Sequence, residues 1–125
     1  MGLGPRPVRR VRRLRPERIL LPAFLFRLVP PRPDFPLTMD DEERSVMVDH
    51  VAYWTRLTEQ GRVAAFGPVV DPAGAYGIGI IVADDLSGAE RLRDDDPAIH
   101  SSHGFRTEIL PMAALVTPAG PIDVD

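Results

Sequence analysis

From residue 23 onward the apolar residues form short runs interrupted by one long helical stripe, and the order of these two patterns leaves few folds open. Val46, Met47, His50, Val51, Trp54 and Leu57 recur at three- and four-residue spacing, which gathers side chains on one face of an α-helix. Asp49, Arg56 and Glu59 lie off that stripe. Thr38 or Asp40 is the candidate N-cap, and Asp41, Glu42 and Glu43 follow in the first turn, where the helix dipole favours negative charge. These acids read as solvated cap residues and are assigned no chemistry. Gly61 supplies the residue at which such a helix ends.

The short runs read as strands. Ala23–Val29 (AFLFRLV), bounded by Pro22 and Pro30-Pro31, predicts the first. The following PPRPDFP is expected to be neither helix nor central strand. Arg62–Val70 predicts a second strand, with Gly67-Pro68 expected to disturb its pairing. After a turn at Asp71-Pro72-Ala73-Gly74, Ala75–Ala83 predicts a third strand that closes a hairpin. One face of this strand carries Tyr76, Ile78, Ile80 and Val82; the other carries Gly77, Gly79, Ile81 and Ala83. The small face invites a close approach by another element. Asp84-Asp85 caps a second helix over Leu86–Arg93, weakened by Gly88, and Asp94-Asp95-Asp96-Pro97 breaks it. Gly104–Leu115 predicts the last strand, with Pro111 at an edge or at its end.

Strand, helix, strand, strand, helix, strand is the split βαβ order. It predicts an α+β, ferredoxin-like βαββαβ fold: a four-stranded antiparallel sheet with two helices on one face. The other face stays uncovered, and strands as apolar as Val63–Phe66 and Ile78–Val82 call for a partner there. A homodimer of the dimeric α/β barrel type, packed sheet to sheet with a cleft between helix, sheet and partner, is the expected assembly.

Charge and composition narrow the function classes. At 125 residues with 44% hydrophobic and 26% charged residues, the chain has the size and composition of one globular domain. It has no cysteine, which removes disulfide, thiol-nucleophile and Cys-metal chemistry and leaves cytoplasm as the default location. All fifteen basic residues are arginine, so lysine Schiff bases and a P-loop lysine are unavailable. Residues 1–18 carry a balance of +6 and residues 19–125 a balance of −9. The basic segment could neutralise phosphates, but no aromatic residue interrupts it to stack on bases and the acidic body repels a polyanion. It reads as a disordered extension over residues 1–22, ahead of a domain over 23–116 and a C-terminal tail over 117–125. The apolar stretch Ile19–Phe26 is too short for a signal or membrane segment, which needs about 20 residues to span a bilayer. Neither nucleic acid nor membrane is an expected partner.

Generic catalytic motifs are sparse. Gly74, Gly77 and Gly79 have the wrong order for a dinucleotide fingerprint. Asp96, His100 and His103 could be proposed as metal ligands, but two exposed loop histidines explain them better. Ser101 and Ser102 lack an elbow that would present a nucleophile. His50 is the titratable group on the apolar stripe, either a hydrogen-bonded core histidine or a catalytic base or acid. Asp96 at the broken end of the second helix can reach it in a ferredoxin-like fold. A separation well beyond about 6 Å would count against catalysis.

Several segments in order, from Pro30-Pro31-Arg32-Pro33-Asp34-Phe35 through Met47-Val-Asp-His50, Gly61, Phe66-Gly67-Pro68, Asp96-Pro97-Ala98 and Gly104-Phe105-Arg106 to Pro111-Met112, resemble the YCII-related (YciI-like) family over about residues 23–116. The resemblance implies a dimeric ferredoxin-like fold related to muconolactone isomerase, with a His–Asp site at His50 and Asp96. Relatives often carry Arg three residues before the helical His, where this chain has Met47, so a substrate-anchoring role is absent or passes to Arg44. The resulting expectation is a small-molecule enzyme with lyase, dehydrochlorinase or isomerase-like acid/base chemistry. His50 acts as base or acid, Asp96 orients it, and Arg44, Tyr53, Phe66, Gly67 and Pro68 shape the pocket. No metal or cofactor is called for. The alternative is a non-catalytic ligand-binding or accessory dimeric module on the same fold.

Overall fold

A computed structural model describes residues 22–118 and 120–121. The expected basic extension, apart from Pro22, lies outside the described residues, as do residues 119 and 122–125 of the expected tail. The elements are β1 (Ala23–Val29), α1 (Phe35–Thr38), α2 (Asp41–Glu59), β2 (Val63–Val69), β3 (Tyr76–Val82), α3 (Leu86–Asp94), α4 (Pro97–His100), β4 (Arg106–Met112), β5 (Val116–Thr117) and β6 (Gly120–Pro121). The four long strands form one antiparallel sheet in the order β2-β3-β1-β4, compatible with a ferredoxin-like arrangement. Where the C-terminal tail was expected to begin, β5 and β6 pair as a small ribbon.

Pleating sorts the strand residues onto two faces. Phe24, Phe26 and Leu28 of β1 stand opposite Ile81, Gly79 and Gly77 of β3. On this face they meet Trp54 and Leu57 of α2, Ala89 and Leu92 of α3 and Ala98 of α4 in a single buried core. The small face of β3 is therefore the helix face. A Cβ on Gly79 would lie 2.9 Å from the Trp54 ring, so the missing side chain is what admits the indole. Trp54 in turn stacks on Phe26 at 4.6 Å between ring centroids. On the opposite face Leu25, Ile78 and Ile80 stay partly exposed and Leu110 is 54% exposed.

Both prolines expected to interrupt strands sit in edge strands, where proline is tolerated. Pro68 pairs with Gly77 in β2 and Pro111 with Phe24 in β4. The irregularity of β2 falls between Val63 and Ala65 rather than at Gly67-Pro68. PPRPDFP departs from its expectation at its end: Phe35 and Pro36 open the single turn α1, because proline is tolerated in a first turn whose N–H groups are free anyway.

Helix α2 starts at Asp40 rather than Thr38. The Asp40 carboxylate accepts from Glu43 N at 2.8 Å and Glu43 Oε1 accepts from Asp40 N at 2.9 Å, a reciprocal capping box. It ends at Gly61, whose φ of +77° allows Gly61 N and Arg62 N to bond back to Thr58 O and Leu57 O. Glu43 is not the solvated cap residue expected of it. It is 6% exposed and receives Arg32 Nη1 at 2.9 Å and Nη2 at 2.7 Å. Arg32 also donates to the Thr38 hydroxyl and carbonyl. Those hydrogen bonds from Arg32, then the one from Asp40 N, hold the Glu43 carboxyl down at about 2. The bidentate pair pins the segment carrying Phe35 against the start of α2.

Candidate active site

His50 and Trp54 lie one turn apart on the inward face of α2, so both side chains reach the same depth. Facing them is Asp96, the N-cap of α4. Pro97 at the first helical position and the extended backbone of Asp96 fix this helix start, and Asp96 Oδ1 accepts from Ala98 N at 2.8 Å. The break expected at Asp94–Pro97 is thus a stop followed at once by a new helical turn.

The Asp96 carboxylate is completely buried and serves three donors. Besides Ala98 N, it takes Trp54 Nε1–H on Oδ2 at 2.8 Å, and His50 Nδ1 lies 2.9 Å from both oxygens. That separation is hydrogen-bond contact, well within the limit set for catalysis. A carboxylate accepts and cannot donate, so the neutral imidazole carries its proton on Nδ1 and keeps the lone pair on Nε2. A carboxylate alone in an apolar interior would be strongly disfavoured; the two N–H donors from Trp54 and Ala98 stabilise its charged form and aim it at the imidazole. The indole contribution was not read from the sequence, where Trp54 was assigned to the core stripe. Its only signal was the i, i+4 spacing from His50.

His50 also borders a cavity of about 200 Å³. Phe26, Trp54 and Phe66 form one part of its wall, and Phe35, Phe105 and Tyr76 another. Of the sequence candidates, His50, Phe66, Gly67 and Pro68 line this cavity. Met47, at the position that relatives often give to Arg, lines it too.

Two candidates stand elsewhere. Arg44 is exposed and pairs with Asp41 at 3.1 Å, one turn back on its own helix. Tyr53 donates its hydroxyl to Leu92 O and is not among the cavity-lining residues. Burial, followed by the charges of Asp95 and Asp96, pushes the Tyr53 phenol up to about 12, so it stays protonated and ties α2 to α3. The expected loop histidines also have structural places. His100 ends α4, and the His103 ring bonds Ser101 O at 3.1 Å and approaches Glu42 at 3.4 Å. Ser101 donates its hydroxyl to Ala98 O. Among the described residues no group of three or more His, Asp or Glu could hold a metal ion, and no helix is long and apolar enough to cross a membrane.

No curated protein matches the chain. A protein-family comparison, by contrast, matches the YCII-related domain over residues 23–113, a span that runs from the first residue of β1 past the last of β4 and contains both members of the buried pair. The chain belongs to the YCII-related domain family.

Proposed function

We propose that the chain is a small-molecule enzyme that works by proton transfer at His50. One observation carries this reading: a fully buried carboxylate bonded to Nδ1 of an imidazole that borders an apolar cavity. Nε2 takes a proton from an O–H or acidic C–H of the bound molecule, and the resulting imidazolium is stabilised by Asp96 at 2.9 Å. The imidazolium then returns the proton to another atom of the same molecule, an isomerisation, or to a departing oxygen or nitrogen, a lyase step; in a dehydrochlorinase step chloride leaves as the anion and the imidazolium gives its proton to water. Asp96 holds the tautomer and charge complement throughout and does not itself take the proton. Phe66, Gly67 and Pro68 shape the pocket wall beside it.

The same reading includes a homodimer formed through the outer sheet face, supported by the partly exposed Leu25, Ile78, Ile80 and Leu110. Size-exclusion chromatography with light scattering should give about twice 13.8 kDa, and a monomer at micromolar concentration contradicts it.

The activity is tested in D2O with a mixed pool of small metabolites, comparing the wild-type chain with His50→Ala by mass spectrometry. His50-dependent deuterium incorporation or product formation is expected. If compounds bind to both proteins and nothing exchanges or changes, the non-catalytic module takes its place.

A further inference from the structure

We propose that the cavity beside His50 selects an uncharged, single-ring molecule that presents one hydrogen-bond donor, and rejects ring carboxylates of the same size. The proposal rests on the acid/base reading for the state of His50 and adds the class of molecule to it. Three features of the site carry it.

The first is size and surface. An apolar cavity of about 150 Å³ is large enough for benzene, and this one is about 200 Å³ with five aromatic side chains of Phe and Trp in its wall. One ring with a small substituent fills it.

The second is charge. The cavity lining contains no arginine among the described residues. Among the described residues, Arg32 is held by Glu43, Arg44 by Asp41, and Arg27 stacks over the Tyr76 ring at 4.2 Å beside Glu108, although its Nε makes no hydrogen bond. A carboxylate entering this cavity would lose its water and gain no cation, which costs several kcal/mol in general terms.

The third is hydrogen-bond polarity. Asp96 fixes the imidazole proton on Nδ1, so neutral His50 can only accept on its remaining nitrogen. A ligand with an O–H or N–H satisfies it, and that hydrogen is the one His50 would remove. A ligand with an ether oxygen leaves both acceptors facing each other.

Phenol, anisole and benzoate separate these features with nearly one shape. Trp54 is the only tryptophan of the chain and lines the cavity, so its fluorescence reports occupancy. Titrations of the full chain at about pH 8, where benzoate is charged and phenol keeps its proton, should give a saturable response with phenol. Phenol should bind about tenfold or more tightly than anisole or benzoate, the equivalent of one lost hydrogen bond or one uncompensated charge. Calorimetry in parallel covers a fluorescence change too small to read. Benzoate binding as well as phenol overturns the charge argument, and anisole binding as well as phenol overturns the donor argument. Absence of saturable binding by all three in both measurements overturns the proposal altogether. Phenol preference together with a negative deuterium experiment leaves this ligand class standing and removes the acid/base reading, so the two failures are distinguishable.

Discussion

Two acidic runs, Asp40–Glu43 and Asp94–Asp96, look alike as sequence and become opposites in the fold. Each starts a helix and each hides one carboxylate, Glu43 at 6% and Asp96 at 0% exposure. Glu43 meets Arg32, a permanent cation that engages both its oxygens, and the pair closes on itself. Asp96 meets an imidazole, a type of group that can gain and lose a proton, and this one borders an aromatic-lined cavity. The partner, rather than the carboxylate or its helix cap, decides which run stabilises the fold and which one can support chemistry.

The sharpest way to break this contrast is Asp96→Ala. It leaves the indole N–H, the imidazole and Ala98 N without their common acceptor, and each buried donor left unsatisfied costs about 1–3 kcal/mol. Thermal and denaturant unfolding should show a large loss, and Trp54 fluorescence should shift even under native conditions. A variant as stable as wild type would mean that the three hydrogen bonds are not what holds this corner.

Gly79→Ala should have a smaller effect and touch one run only. Its new methyl would stand 2.9 Å from the Trp54 ring, and overpacking of this kind costs about 1–3 kcal/mol. Because the indole also holds Asp96, binding in the cavity should weaken while the acid stability attributable to Glu43 remains. Equal or greater stability in the unfolding measurement would show that the ring has room to move.

Glu43→Gln should touch the other run only: its loss of stability is present near neutral pH, where Glu43 is charged, and fades in acid. The folded Glu43 carboxyl titrates at about 2, below its ordinary value of 4.5. Its stabilisation is present above the ordinary value and disappears as pH falls toward the folded value. Wild type should therefore lose stability over that window, and Glu43→Gln should show a flatter acid limb. Parallel acid-denaturation curves would contradict the pairing with Arg32. Binding in the cavity should be unchanged.

The order of elements was legible because apolar spacing switches cleanly between strand and helix periods, and because Gly61 and the Asp caps mark real boundaries. The pairing of His50 with Asp96 was reached only through topology and family resemblance. Their separation of 46 positions in the chain leaves no local periodicity to read. What escaped the sequence were long-range partners of ordinary-looking residues. Glu43 looked like any first-turn acid until Arg32 was placed against it, and Trp54 looked like core until its N–H was seen on Asp96. Arg44 and Tyr53 were drawn to the site by their position near His50, yet the helix turns Arg44 to solvent and Tyr53 toward α3. A turn of helix separates neighbours in sequence as readily as it joins residues four apart.

The tautomer of the neutral His50 ring decides whether the site can transfer a proton, and nitrogen-detected NMR of the imidazole, followed upward in pH until the ring is neutral, reads it directly. In its neutral form wild-type His50 should carry the proton on Nδ1, bonded to Asp96, and leave Nε2 bare. In Asp96→Ala, with the acceptor removed, that tautomer preference should be lost. If wild-type His50 carries its neutral proton on Nε2, the carboxylate does not orient the ring, no lone pair faces the cavity, and the proton-transfer site described here does not exist.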